Sequence, residues 1–124
     1  MEREYNISDA EWKVMDVLWE HPNSTIKEIT GLLSGTGWGY STIRTLVFRL
    51  NEKGAIGADT SDSRYRYYPV ASEEECRNRE TAHFLNKIYN GSVKMLMNTL
   101  VGGSKLSSEE VRELMSIIDK MEEG

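Results

Sequence analysis

The hydrophobic period of this chain changes at Gly54, and few folds accommodate that change. Upstream, apolar residues recur at helical spacing in three short segments. Downstream they alternate, as in a strand with one buried face. The first helical segment opens on Ser8 and Glu11, a capping box in which each side chain satisfies a free backbone N–H at a helix start. From Asp9 onward Trp12, Met15 and Trp19 share a face, widened by Val14 and Leu18, until His21-Pro22-Asn23 ends the pattern. A second box, Thr25 with Glu28, opens a short helix whose Ile26, Ile29, Leu32 and Leu33 are expected to face inward before Gly35, Gly37 and Gly39 break it.

The third helix is predicted from about Ser41 to Lys53, with Gly54 placed to cap it in the left-handed conformation. At about 100° per residue, Ile43, Leu46, Val47 and Leu50 gather on one side. Ser41, Thr45, Phe48 and Glu52 lie opposite, with Arg44 and Arg49 on the flanks. After Gly54, Ala55–Asp59 and Arg64–Val70 read as strands joined by the polar turn Thr60-Ser61-Asp62-Ser63. Tyr65, Tyr67 and Pro69 fall on one face of the second strand, and Arg64, Arg66 and Tyr68 on the other. Three helices and a hairpin in this order predict an α+β winged helix over residues 1–71, within a mainly α chain.

Ser72 with Glu75 forms a third capping box and marks the expected boundary with an all-helical region, residues 72–124. One helix there carries Thr81, Phe84, Leu85, Ile88 and Tyr89 up to Asn90-Gly91. The next carries Val93, Leu96, Met97, Leu100 and Val101 up to Gly102-Gly103. Ser107 with Glu110 opens the last, in which Val111, Leu114, Met115, Ile118 and Met121 keep the helical period. Three amphipathic helices in about 50 residues are too few to close a large core, so the apolar stripes predict pairing with a second copy. Leu96, Met97, Leu100, Val111, Leu114, Met115 and Ile118 are the candidate dimer contacts.

The net charge of −5 argues against a nucleic-acid partner only until its distribution is considered. Residues 41–71 hold Arg44, Arg49, Lys53, Arg64 and Arg66 against Glu52, Asp59 and Asp62, a local balance of +2, whereas both flanking regions are acidic. In helix-turn-helix proteins the helix following the turn enters the major groove with its N-terminal residues nearest the base edges. Ser41, Thr42, Arg44, Thr45 and Arg49 are therefore candidate DNA contacts, and Arg64 and Arg66 on the hairpin are placed to reach phosphates. Phe48, exposed on the same helix, is expected to pack on a neighbouring segment.

Other chemistry finds little support. Cys76 is alone, so no internal disulfide forms, and His21 and His83 lack ligand spacing; no metal or cofactor is expected. Gly35-Thr36-Gly37-Trp38-Gly39 lacks the Lys-Ser/Thr of a phosphate-binding loop, and no nucleophile elbow is present, so the chain is not read as an enzyme. No run approaches the roughly 18 apolar residues of a membrane span, and MEREYNISDAEW has no signal core, which makes the cytoplasm the expected compartment.

The string Ile7-Ser8, Glu11-Trp12, Val14-Met15, then Thr42-Ile43-Arg44-Thr45-Leu46, Arg49-Leu50 and Lys53-Gly54, resembles the penicillinase repressor family (BlaI/MecI/CopY). The resemblance continues through Tyr67-Tyr68-Pro69-Val70 and the segment from Phe84 to Gly91, covering nearly the whole chain. It implies a homodimeric repressor of palindromic operators, with base contacts from Ser41, Thr42, Arg44 and Thr45. The paired C-terminal cysteines of the copper-responsive branch are missing, which places the chain nearer the BlaI/MecI type. In that type, release follows cleavage of an Asn-Phe bond by a membrane-bound sensor protease, and Asn98-Thr99 stands at the matching place here. The alternatives are a winged-helix repressor released by another signal and a winged-helix module that binds protein without a DNA function.

Overall fold

The computed structural model describes residues 5–103 and 106–123. Its elements are α1 (Asp9–Glu20), α2 (Ile26–Leu32), a 3-10 turn (Ser34–Thr36), α3 (Tyr40–Glu52), β1 (Ile56–Asp59), β2 (Arg66–Pro69), α4 (Glu73–Tyr89), α5 (Val93–Gly102) and α6 (Ser108–Glu123). The chain divides into two compact units, residues 1–77 and 78–124. The division falls inside α4, because Cys76 in its first turns is buried with the core of the first unit.

Two of the three boxes predicted in the first unit form in full, and of the Ser72–Glu75 box only the donation from the Glu75 N–H to the Ser72 hydroxyl is present among the described residues, at 3.4 Å. Ser8 and Glu11 exchange N–H donations at 2.8 and 3.2 Å, and Thr25 and Glu28 do so at 2.9 and 3.1 Å. Between them the chain turns at Asn23, whose φ of 65° is left-handed, a conformation that Asn tolerates better than most residues. The three helices bury Val14, Met15, Leu18, Ile29, Ile43, Val47 and Leu50 with Ile56 and Tyr67 of the hairpin, the winged-helix core expected of the period change. Leu32 departs from its expected inward face and is 50% exposed, since α2 ends there and only Ile29 of that helix is buried. Trp12 and Trp19 flank the core instead of filling it. They stack edge to face at 5.5 Å, and the Trp19 indole donates to the Ala71 carbonyl at 2.9 Å.

The hairpin pairs Ile56 with Pro69, Gly57 with Tyr68, Ala58 with Tyr67 and Asp59 with Arg66. The second strand begins at Arg66, so Arg64 and Tyr65 belong to the turn and both are exposed. Across Gly57 lies the Tyr68 ring, where a Cβ would meet it at 2.5 Å, and this close approach is the reason for glycine there. Tyr67 also exchanges backbone hydrogen bonds with Ser24 at 2.8 and 3.2 Å, fixing the hairpin to the α1–α2 connection.

In the second unit the Ser107–Glu110 box forms at 3.0 and 3.1 Å, and Ser92 caps α5 by accepting from the Met95 N–H. Among its described residues none is buried. Leu96, Met97, Leu100, Val111 and Leu114 are half-buried, and Met115 is exposed. The side chain of Ile118 lies outside the described residues. Among the described residues, no helix is long and apolar enough to cross a membrane.

Candidate nucleic-acid interface

Helix α3 is held from both ends. Gly39 stands at its N-cap in extended conformation, and Gly54 follows its C-terminus at φ 80°, as the left-handed cap requires. Just before that glycine, the Lys53 ammonium donates to the Asn6 carbonyl and to the buried Glu11 carboxylate, each at 2.5 Å. Burial pushes the Glu11 carboxyl up, but the hydrogen bonds from Lys53 and Ser8 outweigh it and hold the group below its ordinary range. One carboxylate thus caps α1 through Ser8 and fastens the end of α3. The second Glu11 oxygen is buried without a hydrogen-bond partner.

With Ile43, Leu46, Val47 and Leu50 buried, the rest of α3 faces outward in three stripes. Ser41 and Thr45 run along the middle, and the Thr45 hydroxyl donates to the Ser41 carbonyl at 3.1 Å. Thr42 and Arg49 lie to one side and are exposed. On the other side Tyr40, Arg44, Phe48 and Asn51 border the wing. The Arg44 guanidinium lies 4.9 Å over the Phe48 ring, within cation–π range, so Phe48 packs on its own helix and steadies that arginine.

A cavity of about 680 Å³ separates this last stripe from the hairpin. It brings Arg44 and Arg64 together with Lys27 of α2, which the sequence pattern did not single out. Arg66 is placed differently. Its guanidinium donates to the Asn23 carbonyl at 3.2 Å and pairs with Glu28 at 3.4 Å, linking the wing to the start of α2. The Glu28 carboxyl is held below its ordinary range first by the Thr25 N–H and hydroxyl and then by Arg66 and Arg64. Among the described residues, no group of three or more His, Cys, Asp or Glu side chains could hold a metal ion.

A winged helix that buries one face of its third helix and offers hydroxyls and guanidinium groups on the other defines a DNA-binding regulator. The penicillinase repressor family model matches residues 7–120. The chain belongs to the penicillinase repressor family of DNA-binding transcriptional repressors. It is 34% identical over 120 residues to the methicillin resistance regulatory protein MecI of Staphylococcus aureus, covering 94% of this chain and 95% of that protein. It is also 34% identical to the penicillinase repressor of Bacillus licheniformis, covering 92% and 90%. The solution structure of monomeric B. licheniformis BlaI in complex with the blaP half-operator matches with a TM-score of 0.51 and 35% identity, covering 60% of this chain and 90% of that one.

Proposed function

We propose that this chain represses transcription in the cytoplasm by occupying a palindromic operator as a homodimer, at genes of the β-lactam-resistance type. Ser41, Thr42, Arg44 and Thr45 read base edges in the major groove, and Arg49, Arg64 and Arg66 contact phosphates. The observation that carries this reading is α3 itself, buried on one side and polar and cationic on the other. The half-operator bound to the related BlaI structure supports it. Residues 72–124 pair the two copies through Leu96, Met97, Leu100, Val111, Leu114, Met115 and Ile118, which gives apolar faces that are open in one chain a surface to cover them.

Repression ends when a membrane-bound sensor protease cuts between Asn98 and Thr99. Both residues are exposed on α5, and the Thr99 hydroxyl donates to the Met95 carbonyl at 3.1 Å. A protease requires extended backbone, so α5 must open locally first, from the Gly102-Gly103 end where no side chain restricts the backbone. The chain performs no chemistry of its own. The test is anisotropy of a labelled palindromic duplex across a salt series, with sedimentation of the free protein. Affinity falling steeply with salt and a dimer in solution support the reading. Salt-insensitive binding, or no preference over random duplex, would favour a winged-helix protein-interaction module instead.

A further inference from the structure

The cavity between α3 and the wing has the size and lining of a small-molecule site. Its volume, about 680 Å³, lies within the range of ligand pockets, roughly 300–1,000 Å³. Four aromatic rings, Tyr40, Phe48, Tyr65 and Tyr67, border it, and the cations Lys27, Arg44 and Arg64 stand around it. Among the described residues, none of these three cations has a carboxylate within 4.0 Å, and no Asp or Glu lines the cavity. Burial raises the Tyr67 phenol above its ordinary range, Tyr65 and Tyr40 raise it further, and Arg44 opposes them. A DNA phosphate would satisfy the cations alone. It has no flat apolar surface to meet the rings.

We propose that this cavity binds a small planar anion, an aromatic carboxylate, whose carboxylate meets Arg44 and Arg64 while its ring lies among Tyr40, Phe48 and Tyr65, and that its occupation opposes operator binding. The second half of the proposal rests on the reading of α3 as the base-contacting helix. Arg44 cannot hold the ligand carboxylate and a base edge at once, so each ligand lowers the affinity for the other by the same factor.

The test uses the full-length protein with naphthoate as the probe and uncharged naphthylmethanol as its control. Amide chemical shifts in a naphthoate titration should move saturably around Tyr40, Phe48 and Tyr65, and naphthylmethanol should bind at least about tenfold more weakly, the loss of one charge-assisted pair. Tyr65→Ser, on the exposed turn, should weaken naphthoate binding while leaving operator affinity without ligand unchanged. Operator affinity should fall in proportion to naphthoate occupancy. Absence of saturable shifts, or equal binding of the two probes, would overturn the proposal. Naphthoate binding undiminished on saturating operator would overturn its competitive half. Operator affinity measured without probe is a separate readout, and its loss would count against the repressor reading alone.

Discussion

The two units of this chain are written in the same hydrophobic code and solve it differently. In residues 5–77 the apolar face of each helix meets another element, and Met15, Leu18, Ile29, Ile43 and Leu50 are completely buried. In residues 78–123 the stripes are as regular, yet no described residue is buried, and Val93, Met95, Met115 and Ile117 are half or more exposed. An amphipathic helix states that one face must be covered. It does not state whether the cover comes from its own chain. The hairpin decides the matter in the first unit, because it closes the side of the three helices that would otherwise stay open.

The largest effect is expected from removing residues 105–124. If the second unit is completed only by a second copy, the truncated chain should sediment as a monomer, and affinity for a full palindrome should fall about 10²–10⁴-fold through lost linkage of two half-site readers. Affinity for a single half-site should hold. A dimer that survives truncation would place the interface elsewhere. Within the first unit, Lys53→Met removes the partner of a carboxylate that is already missing one hydrogen bond. Because Lys53 is one-third exposed, the cost should sit near the lower end for broken buried pairs, about 3 kcal/mol in chemical denaturation. A loss below about 1 kcal/mol would show that water reaches Glu11.

Arg44→Ala should leave folding unchanged and weaken operator binding by about 1–3 kcal/mol if the arginine contacts a base in bidentate fashion, with a smaller loss on random DNA. Equal losses on both duplexes would reassign it to a phosphate. The smallest effect concerns acid. The Glu11 carboxyl is held below its ordinary range in the folded chain, so its stabilising contribution is full above the usual carboxylate range. That contribution is lost as pH falls through the lowered value. Glu11→Gln should therefore flatten the acid limb of stability against pH, measured by urea midpoints. An acid limb as steep as that of the unaltered chain would move the effect to other carboxylates.

What the sequence made legible was local. The boxes at Ser8, Thr25 and Ser107 each join residues three apart, and the left-handed stop at Gly54 is a property of one residue, so all four could be read before any packing was known. Helix α3 starts at Tyr40, one residue earlier than its pattern suggested, because Gly39 takes the cap. The long-range features were hidden. Lys53 reads as an ordinary last-turn cation, and its partner Glu11 stands 42 residues away. Arg66 alternates outward on its strand, and nothing local to it shows that it also links to Glu28 and the Asn23 carbonyl. Lys27 joins Arg44 and Arg64 only because Tyr67 fastens the hairpin beside α2.

The open faces of the second unit also bear on gene dosage. If two chains must meet before either has a completed C-terminal unit, the concentration of working repressor follows the square of the chain concentration at low abundance. Destroying half of the chains would then leave about a quarter of the dimers in that dilute regime, by the same mass action. Under the proposed proteolytic release, a modest burst of cleavage would in this way open the regulated promoter more sharply than the number of cut molecules suggests, and resynthesis would close it with a lag.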